Sequence, residues 1–70
     1  MTGNEFLKRL KALAKLKSVT VKYDPKRGKG SHGTVYFGDK RTILRNPKDE
    51  LKTGTLHGMC DDLGVKVTEL

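Results

Sequence analysis

The hydrophobic periods along this chain predict an α+β fold with its elements in the order α-β-β-β-α. Three observations carry that expectation. A stretch with helical spacing opens the chain, alternating stretches joined by a glycine-bearing turn occupy its middle, and a second stretch with helical spacing ends at Gly64. At 70 residues, with 34% hydrophobic content, there is material for a single domain over 1–70 with one modest core.

The first helix is read from TGNEFLKRLKALAKLK. Thr2 and Glu5 stand at the spacing of a capping box, and Phe6, Leu10, Leu13 and Ala14 recur on one face. Lys8, Lys11 and Lys15 fall on the opposite face, as either an ordinary solvated surface or a direct nucleic-acid contact. SVTVKY then alternates Val19, Val21 and Tyr23 against Thr20 and Lys22, the pattern of a half-buried strand. DPKRGKG is a loop by its proline and glycines.

A second strand, from about Ser31 to Phe37, places Gly33, Val35 and Phe37 on one side and His32, Thr34 and Tyr36 on the other. With Val35 and Phe37 inward, His32 faces out. Gly38 to Lys40 is expected to turn the chain, and RTILR to return as a third strand with Ile43 inward. NPKDE breaks the pattern. TGTLHGMCDDLG aligns Leu56, Met59, Cys60 and Leu63, with Thr53 or Thr55 as cap, Gly58 as an interruption and Gly64 as the stop. VKVTEL reads as either a last strand or a frayed tail. Two helices on one face of the sheet would leave the other face open, and His32 belongs on that open face.

Charge narrows the choice of partners. Fifteen Lys and Arg against eight Asp and Glu give a formal +7, and residues 1–30 alone carry nine cations against two acids. The expected partner is an anion approached from one side, with nucleic acid ahead of an acidic protein or a membrane surface. One cysteine, Cys60, allows no internal disulfide and is read as core packing. With no signal-like start and no apolar run beyond three residues, a cytoplasmic location is expected.

GKGSHGTV, from Gly28 to Val35, satisfies G-x-G-x-x-G, which raises the question of a nucleotide cradle. A dinucleotide fold needs a helix directly after those glycines, and the strand TVYF follows instead. A kinase-type loop needs a second lobe, for which the chain has no length. No nucleotide cofactor is therefore expected.

Two motifs stand a hairpin apart: Gly30-Ser31-His32, and Glu50-Leu51-Lys52-Thr53-Gly54-Thr55-Leu56 at the start of the last helix. With this pair, from about Phe6 to Gly64, the chain resembles the HicA family of toxins, small proteins of double-stranded-RNA-binding-domain-like (dsRBD-like) fold. The resemblance implies an mRNA interferase of a type II toxin-antitoxin system that cleaves RNA, inhibits translation and growth, and is neutralised by a HicB-like antitoxin. It also implies that His32 is the catalytic residue. The stretch between the first helix and the tripeptide is longer and more basic than is usual in the family.

The residue types suit that chemistry. RNA carries its own nucleophile, the 2′-hydroxyl, so cleavage needs proton transfer and positive charge and no metal. Imidazole titrates near neutrality and serves as base or acid, worth about 10² to 10⁴-fold. Asp39, Asp49, Glu50, Asp61 and Asp62 are scattered over a turn, a loop and a helix, unlike the clustered acids of a divalent-metal site. No metal or other cofactor is expected.

Gly28, Gly30 and Gly33 are read as keeping bulk away from His32 so that an RNA backbone can approach. Lys26, Arg27 and Lys29 upstream, Ser31 within the tripeptide, and Arg41 on the neighbouring strand are candidate RNA contacts. Thr53, Gly54 and Thr55, beside Lys52, offer N–H groups to a phosphate or are simply a capped helix start. His57 is an exposed helix residue or a second proton-transfer group, and Tyr36 stacks on a base, bonds a phosphate or stiffens its strand. Two other functions stay open beside the nuclease: a non-catalytic RNA-binding module on the same surface, and a protein-interaction domain for an acidic partner.

Overall fold

The computed structural model describes residues 1–25 and 33–70. Its elements run α1 (Gly3–Lys17), β1 (Val21–Asp24), β2 (Gly33–Phe37), β3 (Lys40–Leu44), α2 (Thr53–Leu63) and a short 3₁₀ turn over Val67–Glu69. The three strands form an antiparallel sheet in the order β1-β2-β3, with both helices packed on one face. The α+β class and the α-β-β-β-α order are those expected from the periodicity.

Helix α1 begins where its sequence says it should. The Thr2 hydroxyl accepts from the Glu5 N–H at 3.2 Å, and the Glu5 carboxylate accepts from the Thr2 N–H, also at 3.2 Å. Two of the N–H groups that every helix start leaves without a helical partner are thereby satisfied. Two more find carbonyls in the β3–α2 connector: Gly3 N–H donates to Asp49 and Asn4 N–H to Pro47. Gly3 is required here, because a Cβ would stand 2.7 Å from the Pro47 Cα. Leu51 N–H donates to Met1, and the Met1 ammonium pairs with Glu50, so the connector is laced to the first turn of α1 along its length.

Phe6, Leu10, Leu13 and Ala14 face inward, joined by Val35 and Phe37 of β2, Leu44 of β3, and Leu56, Met59, Cys60 and Leu63 of α2. Fully burying a side chain such as Phe6 or Leu10 stabilises the fold by about 1.5–3 kcal/mol. Together they define which face of the sheet is covered.

Several boundaries differ from the sequence expectation, each for a local reason. β1 starts at Val21 rather than Ser18, because α1 runs to Lys17 and Ser18 closes it in the left-handed conformation, φ 55°, while Val19 N–H returns to the Ala14 carbonyl. Ile43 is 54% exposed, which corrects its inward placement. The turn is two residues, Gly38 and Asp39, with Phe37 opposite Lys40. Gly38 has φ 62° and Asp39 no positive φ, the pattern of a type II′ hairpin with glycine first. A three-residue turn would have shifted the register by one. With two, Thr42 and Leu44 point inward and Ile43 outward, since side chains alternate strictly along a strand.

Lys52, not Thr53 or Thr55, is the N-cap of α2, and it makes no side-chain capping bond. The helix passes through Gly58 without interruption and stops at Gly64, φ 70°. The last residues are neither strand nor frayed tail. Val65 is buried, Glu69 pairs with Lys17 at 2.9 Å, and Arg9 reaches the Leu70 carbonyl at 3.4 Å.

Candidate functional site

Pairing across the sheet sorts its residues onto two faces. Val21, Tyr23, Gly33, Val35, Phe37, Lys40, Thr42 and Leu44 share the helix side, and Lys22, Asp24, Thr34, Tyr36, Arg41 and Ile43 share the other. On the helix side, Thr42 is 5% exposed and its hydroxyl donates to the Asp62 carboxylate at 2.8 Å, tying β3 to α2. No helix crosses the second face among the described residues.

That open face is organised in rows. Lys22, Tyr36 and Arg41 are direct cross-strand neighbours, with the tyrosine on the central strand between two cations. Asp24, Thr34 and Ile43 form the next row. Lys22 and Arg41 are exposed and Tyr36 is half-buried, as expected for a ring lying among longer side chains.

From Ile43 a groove of about 620 Å³ passes around the β3 edge to the first turn of α2, lined also by Arg45, Asn46, Asp49, Lys52, Thr55 and Met59. Thr53, Gly54 and Thr55 are exposed, and a Cβ at Gly54 would meet nothing within 4 Å. With no side-chain cap at Lys52, the N–H groups of this turn face the positive end of the helix dipole toward solvent. Lys52 and Thr55 are thus brought together with Arg45. Arg41 lies within β3, and Arg45 is the first residue past its end.

Of the site residues named from sequence, Lys26, Arg27, Gly28, Lys29, Gly30, Ser31 and His32 lie outside the described residues. Gly33 is described, and its missing side chain serves the interior. A Cβ there would stand 2.6 Å from Cε1 and 2.7 Å from the hydroxyl of Tyr23, so the space is filled by that ring on the helix side. Lys22, Ile43 and Arg45 were not singled out from sequence. Correct strand parity would have found Ile43, two residues from Arg41 on the same face of β3.

The remaining candidates sort by burial. His57 is exposed on α2, and Cys60 is 1% exposed within the core. Burial pushes the Cys60 thiol above its ordinary value, with the Asp61 and Glu69 carboxylates adding to the shift. The Lys8, Lys11 and Lys15 side of α1 is solvent-exposed, away from its buried stripe, and Leu16 beside it is 84% exposed. Among the described residues no three His, Cys, Asp or Glu come together as a metal site, and no helix is long and apolar enough to cross a membrane.

No protein-family model, no curated protein and no solved structure matches this chain.

Proposed function

We propose that this protein is a metal-independent endoribonuclease, a HicA-like toxin that cuts mRNA and is held in check by a HicB-like antitoxin. The observation that carries the reading is the co-occurrence of Gly30-Ser31-His32 and Glu50–Leu56 in one short, strongly basic chain. The described geometry supports it in two ways: the second motif forms an exposed helix start with no side-chain cap, beside Arg45, and the sheet face that no described helix crosses carries Lys22 and Arg41.

In the proposed reaction the 2′-oxygen attacks the adjacent phosphorus as its proton is taken up, and the 5′-oxygen departs as it gains one. A 2′,3′-cyclic phosphate and a 5′-hydroxyl result. His32 carries the proton transfer, and the cations together with the α2 N–H groups offset charge gathering on the phosphorane. The antitoxin acts by covering this basic surface, through acidic complementarity.

Incubation with RNA in excess chelator tests the reading. Wild type is expected to cleave, His32→Ala to lose at least about 10²-fold in rate, and expression of wild type but not of His32→Ala to arrest growth. Intact RNA from a folded wild-type protein, with binding retained, would leave a non-catalytic RNA-binding module instead.

A further inference from the structure

The row Lys22–Tyr36–Arg41 has a composition that folding alone does not require. Tyr36 sits on the side of β2 opposite the core, so it contributes nothing to the cluster around Val35 and Phe37. Neither its hydroxyl nor the Lys22 or Arg41 head group makes an ion pair or side-chain hydrogen bond among the described residues. In the adjacent row Asp24 and Thr34 each have an interaction partner, whereas Ile43 is 54% exposed beside Tyr36.

Directly paired side chains on antiparallel strands have Cβ atoms about 4.5–5.5 Å apart, so each cation flanks the ring. Their backbones are roughly 10 Å apart across the central strand, twice the usual inter-strand spacing. Although Thr34 in the next row is 5% exposed, no described helix crosses the Lys22–Tyr36–Arg41 row, and an aromatic ring framed by two cations there suits one ligand chemistry above others. An unpaired base stacks on the ring while the phosphates on either side of it meet the cations.

A duplex keeps its bases inside the stack and offers such a surface only phosphates, which would leave Tyr36 and Ile43 without a partner. An acidic protein segment would satisfy the cations but gains no face-to-face contact with the ring. We propose that the open sheet face is a stacking platform for single-stranded RNA, with a base on Tyr36 against Ile43 and flanking phosphates on Lys22 and Arg41. This deepens the nuclease reading and rests on it for the identity of the polymer as RNA.

The test uses fluorescently labelled 2′-O-methyl RNA, which offers no 2′-hydroxyl to cleave, in three forms: single-stranded, annealed to its complement, and single-stranded with a run of abasic positions. Binding is read by anisotropy over a series of salt concentrations for wild type, Tyr36→Phe, Tyr36→Ala and Arg41→Ala, the probes and variants being compared at equal salt. Wild type is expected to prefer the single strand to the duplex by tenfold or more.

Tyr36→Ala is expected to lose about 5- to 100-fold on the single strand and almost nothing on the abasic probe, while Tyr36→Phe retains its affinity. Arg41→Ala is expected to weaken all three probes and to flatten the salt dependence. Equal affinity of wild type for single strand, duplex and abasic probe would overturn the proposal, as would a Tyr36→Phe loss matching that of Tyr36→Ala. Wild type that binds none of the probes would overturn it too. Cleavage of ordinary RNA is scored separately: a protein that cuts RNA but binds independently of Tyr36 refutes the platform alone, and one that shows the Tyr36 pattern without cutting refutes the nuclease alone.

Discussion

Gly33→Ala separates two uses of the same glycine. A Cβ on this residue would stand 2.6 Å from Cε1, 2.7 Å from the hydroxyl and 2.8 Å from Cζ of Tyr23, against about 3.5–4.0 Å for an ordinary carbon contact. The ring must therefore withdraw by roughly 1 Å from a half-buried seat against the core, an overpacking that costs about 1–3 kcal/mol. Alanine recovers about 0.5–1 kcal/mol relative to glycine within a strand. The net expectation is a loss of about 1–2 kcal/mol, a fall in Tm of about 5–15 °C for a domain of this size. Thermal and urea melts measure it in wild type and in a Tyr23→Ala background, where the overpacking should vanish and only the alanine gain remain, a coupling of about 1–3 kcal/mol. An equal loss in both backgrounds, or none in wild type, would refute the packing argument. Unchanged stability with reduced RNA cleavage would return Gly33 to the role of admitting the substrate.

Other expectations follow from single features. Ser18 holds φ 55° as the C-cap of α1, so Ser18→Gly should raise stability by about 1 kcal/mol, read from the urea midpoint at constant m. Cys60, buried and with its thiol pushed up, should react with a thiol reagent slowly in the native protein and at once in denaturant; equal rates would contradict its place in the core. The hydrogen bond from Lys17, followed by that from the Lys66 N–H, holds the Glu69 carboxyl below its ordinary 4.5. A lowered carboxyl contributes in full above the ordinary value and is lost as pH falls through the folded one, so docking of the C-terminal turn should weaken only on acidification below about 4.5. An NMR titration placing Glu69 at or above that value would contradict the contact.

Legibility varied with the locality of each signal. The start of α1 could be read from Thr2 and Glu5 and its buried stripe from Phe6, Leu10, Leu13 and Ala14, because caps and helical spacing are set within a few residues. Gly64 announced the end of α2 for the same reason. Ile43 was misplaced because a hairpin's parity depends on whether its turn takes two or three residues, and Gly38-Asp39-Lys40 permits both. Ser18 gave no warning that a serine would take a conformation usually left to glycine. The docked C-terminal turn depends on Lys17 and Arg9, more than fifty residues distant, and no local pattern encodes such contacts. At the candidate site, Lys52, Thr55 and Arg41 were legible as charges and helix-start residues. Lys22 joined them only once the strand register assigned it a face, and Arg45 only once the groove beside α2 was formed.

The lacing of the connector to the first turn of α1 bears on how the chain is born. Met1 and Glu50 are 49 residues apart in sequence, yet the start of α1 is completed by carbonyls from Pro47 and Asp49. A ribosome therefore releases the opening helix long before the groups that finish it exist, and loop closure has to wait for the second motif to emerge. A nascent chain halted before Pro47 should therefore lack both the carbonyls that complete the start of α1 and the exposed first turn of α2.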